Sequence, residues 1–137
     1  MKVGDLMSIG WKQKTEIDEV IEKIAYSRVV RFYPTYISKV THISLDTVFE
    51  YLLELVDDGS LHLLWEVRCP DYECNTVILR TSDLTEIMGK EIECSCCEED
   101  LYVKKQHVFP VFEINDDFRE YIRKSKKKQM NSLTLAL

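Results

Sequence analysis

The chain contains no apolar run long enough for a signal sequence or a membrane helix, and its first residues, Met1-Lys2-Val3-Gly4-Asp5, are mixed in character. The expectation is a cytoplasmic protein with no membrane partner. Glycine is scarce, four residues in 137, and the four form no phosphate-cradling loop. No nucleophile elbow is present, and no pair of carboxylates at a recognisable catalytic spacing. These absences argue against an enzyme. A basic field is also missing. The formal charge is −6, whereas a free-standing nucleic-acid binder normally carries a positive surface.

What the chain does have is cysteine, five residues in two short clusters: Cys69-Pro-Asp-Tyr-Glu-Cys74 and Cys94-Ser-Cys96-Cys97. In a reducing compartment such clusters hold metal more often than they form disulfides. The odd count agrees, since four ligands and one spare thiol is simpler than two disulfides and an orphan. Cys94 and Cys97 have the usual two-residue spacer, and Cys69 and Cys74 a longer one of four. Cys96 abuts Cys97, and neighbours in sequence can hardly both aim at one point. The expected site is therefore a structural Zn²⁺ held by Cys69, Cys74, Cys94 and Cys97, with Cys96 a bystander; the alternative is a group of buried or reactive free thiols. Four cysteines would fill the shell, whereas a catalytic zinc keeps an open position. His107 and His62 read as ordinary surface or core histidines. A unit of about 60 residues is marginal on its own and gains from a metal.

Upstream, residues 1–14 show no clear period and read as an arm, with Trp11 either packed on the domain edge or serving as a partner anchor. A first helix is expected from Thr15, as its cap, to near Ser27, with Ile17, Val20, Ile21, Ile24 and Ala25 on one face. Val29–Tyr33 reads as a short extended segment before Pro34, which can open a second helix over 35–40. His42 falls in the following turn and reads as structural or surface. Ser44 caps a third helix whose period runs through Leu45, Val48, Phe49, Leu52, Leu53 and Val56, and Gly59 ends it. Leu61–Arg68 follows as a strand.

This order over residues 15–68 resembles a winged helix-turn-helix, and the stretch Ser44–Leu61 is similar to the third helix and wing entry of such domains. Fold analogy implies DNA binding, but charge argues otherwise. Between Ser44 and Asp58 there is no Lys or Arg. The outward positions read as Asp46, Thr47, Glu50, Tyr51, Glu54 and Asp57. Carboxylates there would repel phosphates. Residues 1–60 hold seven Lys or Arg against ten Asp or Glu. Asp46, Glu50, Tyr51 and Glu54 are thus the candidate surface for a partner protein.

Residues 69–114 run strand, cysteine turn, strand, connection, cysteine turn, strand, and look like a zinc ribbon. Pro110 suggests an edge strand. Residues 115–137 read as a helix capped by Asn115, with Phe118, Tyr121 and Ile122 as its stripe, followed by a tail. Arg119, Arg123, Lys124, Lys126, Lys127 and Lys128 form the one basic cluster, either a solvated tail or a set of phosphate contacts. Met130–Leu137 is apolar and is a candidate docking segment. The fold class is α+β.

A winged helix followed by a zinc ribbon resembles the N-terminal half of archaeal transcription factor E and of the eukaryotic factor E alpha subunit, and also small accessory proteins of multi-gene prokaryotic systems, anti-phage defence included. The resemblance implies a non-enzymatic adaptor that contacts a partner protein, with promoter-type DNA as a further possible contact. The alternative is a DNA-binding regulator that draws its positive surface from the wing region, Arg68, Arg80 or the tail lysines.

Overall fold

The computed structural model describes residues 9–125. It is mixed α and β. Helix α1 spans Trp11–Tyr26, strand β1 Arg31–Phe32, helix α2 Pro34–Thr41 and helix α3 Leu45–Asp57. Strands β2 (Leu61–Arg68), β3 (Val77–Thr81), β4 (Glu91–Glu93), β5 (Asp100–Tyr102) and β6 (Val108–Ile114) follow, and helix α4 covers 116–125. Four strands form one sheet in the order β1-β6-β2-β3, while β4 and β5 form a separate antiparallel pair. Among the described residues no helix is long and apolar enough to cross a membrane.

The chain divides into two compact units. One comprises the residues up to His62 together with those from Phe112 on; the other is Leu63–Val111. The divisions fall inside β2 and β6 rather than after residues 68 and 114. The C-terminal helix belongs with the first unit rather than standing alone, because its arginines are bonded to α1.

In the first unit the helical period reads through as expected. Ile17, Val20, Ile21, Ile24 and Ala25 are the buried face of α1. The helix starts four residues earlier than Thr15. Thr15 is not its cap but an interior residue, whose hydroxyl donates back to the Trp11 carbonyl at 2.8 Å. The arm therefore ends at Gly10, and Trp11 stands 75% exposed in the first turn. Pro34 opens α2, and His42 closes it in the left-handed region at φ 60°, its backbone N–H bonded to the Ser38 carbonyl. Ser44 caps α3 by accepting from the Thr47 N–H at 3.3 Å, and Gly59 leaves the helix at φ 89°.

Among the described residues Phe112 is the largest fully buried side chain. It faces its cross-strand partner Phe32 with ring centroids 6.1 Å apart and meets Phe49 edge-on at 5.8 Å. β6 is interior in the strand order, contrary to the edge position suggested by Pro110. The proline is tolerated because β1 is two residues long and its pairing with β6 reaches only Phe112 and Glu113.

Tyr51 corrects the reading of the α3 surface. It is buried, and its hydroxyl donates to Asp18 Oδ1 at 2.6 Å, with Lys14 Nζ 5.7 Å from the ring centre. Burial, helped by the hydrogen bond to the Asp18 carboxylate, pushes the Tyr51 phenol up, and burial likewise raises the Asp18 carboxyl. An amphipathic tyrosine at a boundary position turns in when it finds a partner for its hydroxyl.

Candidate metal centre

The centre lies within the Leu63–Val111 unit, and two hairpins build it. β2 pairs with β3 from Trp65↔Thr81 to Arg68↔Val77, and the chain between them is the first cysteine turn. β4 pairs with β5 from Glu91↔Tyr102 to Glu93↔Asp100, and the chain between them is the second. Val67, Ile87, Leu101 and Val103 form the apolar cluster beneath, with Ile78, Leu79, Leu84, Ile92 and Val108 packed against it. A cluster of this size is modest, so the turns above it need their own constraint.

The two turns close in the same way despite their unequal spacers. In each, the backbone N–H of the first cysteine bonds the carbonyl two residues beyond the second. Cys69 N donates to Thr76 O and Cys94 N to Glu99 O, both at 2.9 Å. In each, the residue just after the second cysteine has positive φ, Asn75 at 43° and Glu98 at 63°. The two additional residues of the first turn are absorbed by Asp71. Its Oδ1 accepts from the Glu73 N–H at 3.0 Å, and its carbonyl from Cys74 N at 3.1 Å and Asn75 N at 2.8 Å. Asp71 was not singled out from sequence. An Asp directly after Cys69-Pro70 is the turn signal that could have found it.

This geometry brings together the four expected sulfurs. Those of Cys69, Cys74, Cys94 and Cys97 all lie within 4.8 Å of one another. Cys69 Sγ is 3.5 Å from Cys97 Sγ, and Cys74 Sγ is 3.6 Å from Cys94 Sγ. A tetrahedral ion with metal–sulfur bonds of about 2.3 Å would have sulfur–sulfur edges of about 3.8 Å. The spacing matches that shell and is well beyond a disulfide's bond length of about 2.05 Å. All five cysteines are free thiols, and Cys96 is the exposed one.

Four thiols facing one point titrate against one another. Hydrogen bonds from the side chain and backbone of Thr76 bring the Cys74 thiol down to about 6. At Cys97 a bond at the Glu99 backbone favours the thiolate, but burial and the three facing cysteines outweigh it and push the thiol up to about 12. At Cys69 the Asp71 backbone acts in the same favourable sense, and burial with the facing Cys74 and Cys94 again carries the thiol upward. One thiolate accommodated and further ones resisted is the pattern that a divalent cation relieves. The four cysteines can hold a metal ion.

The other candidate residues are dispersed. Asp46, Glu50 and Glu54 are exposed on α3, and Glu54 lies 3.7 Å from Lys14. Arg119 and Arg123 are bonded to the end of α1, Arg119 half-buried and Arg123 exposed. Arg119 donates to the carbonyls of Ile24 at 3.3 Å, Ala25 at 3.0 Å and Ser27 at 2.7 Å, and also to that of Val29. Arg123 donates to Ala25 and Ser27, both at 2.9 Å. The two arginines satisfy the carbonyls at the C-terminal end of α1, where cations are favoured and acceptors would otherwise lack partners. Lys124 pairs with Glu120 at 2.7 Å, one helical turn away. Lys126, Lys127, Lys128 and the apolar tail lie outside the described residues. Arg68 and Arg80 both reach Glu66, at 3.5 Å and 2.7 Å. Glu66 is the one buried charged residue among those described, at 1% exposure. Its burial was not legible because it sits in a strand whose alternation is imperfect.

The chain matches no protein-family model, no curated protein and no solved structure.

Proposed function

We propose that the chain is a non-enzymatic adaptor, arranged as a winged helix-turn-helix with a zinc ribbon, that binds a partner protein within a multi-component prokaryotic system. The observation that carries this reading is the exposed face of α3. Asp46, Glu50, Glu54 and Asp57 are all exposed there, with no basic residue in the helix. Asp57 and the capping Asp58 also lie at the negative end of the helix, and the last turn holds no cation to offset them. Such placements cost about 0.3–1 kcal/mol each. Asp58 has a local use, since the Ser60 N–H and hydroxyl both bond its Oδ1. Among the described residues Asp57 has no such bond, and a surface kept acidic against its own helix dipole suits recognition of a positively charged partner surface.

The metal in this reading is zinc in a structural role. Four thiolates in a tetrahedral arrangement suit Zn²⁺ and leave no position open for a reacting water. The ion would tie together the two cysteine turns of a unit with a small core.

The alternative is a DNA-binding regulator. Arg68 and Arg80 are paired with Glu66, so its positive surface must come from other cations, such as Arg119 and Arg123, whose bonds to neutral carbonyls leave their charge in place. A single experiment separates the two. The full chain is tested for duplex binding at low salt and, in parallel, used as bait in its native cell. The adaptor reading expects no gel shift and a co-purifying protein that is lost from the triple variant Asp46→Lys, Glu50→Lys, Glu54→Lys. A shift whose affinity falls steeply with salt would establish the regulator instead.

A further inference from the structure

A second surface lies within the first unit, between α1, β1 and α2. Its wall is α1 and its floor and far side are β1 and α2. Val20, Ile24, Val29, Phe32, Tyr36 and Val40 line a groove of about 570 Å³. Val29, Tyr36 and Val40 are each close to half exposed, at 48%, 51% and 49%. Large apolar side chains gathered at one concave site mark an interaction surface far better than scattered ones do.

Charge specifies the occupant. The only ionised side chains among the lining residues are Lys23 and Arg31, and no carboxylate is among them. Arg31 is held by Glu113 at 2.9 Å, while Lys23 forms no ion pair among the described residues. Behind the wall stand two more. Arg119 and Arg123 grip the carbonyls of Ser27 and, for Arg119, of Val29, both lining residues. Their bonds go to neutral oxygens, so their positive charge stays at the wall. The same grip pre-forms it. Ser27 Oγ donates to the Ile24 carbonyl at 2.7 Å and accepts from the Val29 N–H at 3.0 Å, so the bend between α1 and β1 is bonded from both sides. A pre-formed apolar groove costs little ordering on binding.

We infer that this groove docks an acidic amphipathic segment of a partner protein, its apolar side chains seated among Val29, Tyr36 and Val40 and its carboxylates beside Lys23. The inference rests on the adaptor reading and gives it a second contact of opposite sign to α3. A partner engaging both surfaces would present a basic patch to α3 and an acidic strip to the groove, which fixes its orientation.

The test is selection from a random-peptide display library on the immobilised full chain loaded with zinc, with melting curves to confirm that each variant folds. Enriched peptides should combine Leu, Ile, Phe or Trp with Asp and Glu. Their binding should weaken about tenfold or more in Tyr36→Ala and in Val40→Asp, fall in Lys23→Glu, and stay unchanged in Glu86→Lys, an exposed position outside both surfaces. Should Val40→Asp fail to fold, Tyr36→Ala and Lys23→Glu, both at exposed positions, decide the matter. Enrichment of basic peptides, binding indifferent to the groove variants, no enrichment over background, or displacement by a single-stranded oligonucleotide would each overturn the groove. Peptides that map to α3 through Glu50→Lys would sink the groove and leave the adaptor reading standing, whereas a positive duplex shift with no enriched peptide would sink both.

Discussion

The guanidinium of Arg119 donates to the carbonyl oxygen of Ser27 at 2.7 Å, across 92 residues of chain. It joins the C-terminal end of α1 to α4 and supplies donors to acceptors that a helix end leaves without partners. Burial beside Arg123 lowers the Arg119 pKa without removing its charge at neutral pH.

Arg119→Ala should therefore destabilise the first unit by about 1.5–3 kcal/mol, the range for hydrogen bonds to a charged group. Arg119→Lys should recover only part of this, because an ammonium cannot fork across several carbonyls. Urea unfolding followed by helical circular dichroism reads both. A loss below about 0.5 kcal/mol would mean the bonds are incidental.

At the cysteine centre, substitutions should divide sharply. Cys74→Ser and Cys97→Ser should lower the metal content of the chain and abolish amide protection in the β4–β5 hairpin. Cys96→Ser should keep full metal content, since Cys96 is exposed and outside the four close sulfurs. Metal analysis under reducing conditions decides it, and equal loss from Cys96→Ser would redraw the ligand set.

Metal uptake should release protons. Cys74, at about 6, is already largely thiolate at neutral pH, whereas Cys97, at about 12, and Cys69, also raised, hold theirs. The ion binds only the deprotonated forms, so affinity rises with pH, by about tenfold per unit for each proton expelled. Stability conferred by the metal is present at neutral pH and is lost as pH falls through the titration of the metal-bound thiolates. Calorimetry in two buffers of different ionisation enthalpy should count at least the Cys69 and Cys97 protons; a buffer-independent heat would contradict the assignment.

Glu66 is buried between Arg80 and Arg68. Removing it takes a carboxylate from Arg80 and Arg68, whose side chains are 41% and 27% exposed, so Glu66→Ala should cost about 1.5–3 kcal/mol, the range for hydrogen bonds to a charged group. Glu66→Gln keeps two polar partners and should cost less. Chemical unfolding of the zinc-loaded chain compares them, and an Ala variant no worse than Gln would show the charge to be dispensable.

Local spacing carried most of what could be read without coordinates. The face of α1, the Ser44 cap, the Gly59 stop and the Asn115 cap each depend on residues within a few positions of one another, and each was found where the pattern put it. The start of α1 was missed because Thr15 has the chemistry of a cap and, within a helix, the equal option of bonding the carbonyl four residues back.

The cysteine clusters could be named from sequence because a metal shell demands few residue types at short spacers. Which of Cys96 and Cys97 turns inward was an inference from crowding; the turn ending at Glu98, which leaves Cys96 exposed, is the physical reason. By itself, then, the sequence determined the helical faces, the Ser44 and Asn115 caps and which four sulfurs meet, since all follow from covalent geometry over a few residues. Only the tertiary structure decided that Tyr51 turns in to Asp18, that Arg119 and Arg123 bond the carbonyls at the end of α1, and that Glu66 lies buried. Those choices belong to pairs far apart in the chain, where a polar group takes whichever partner the fold brings within about 3 Å.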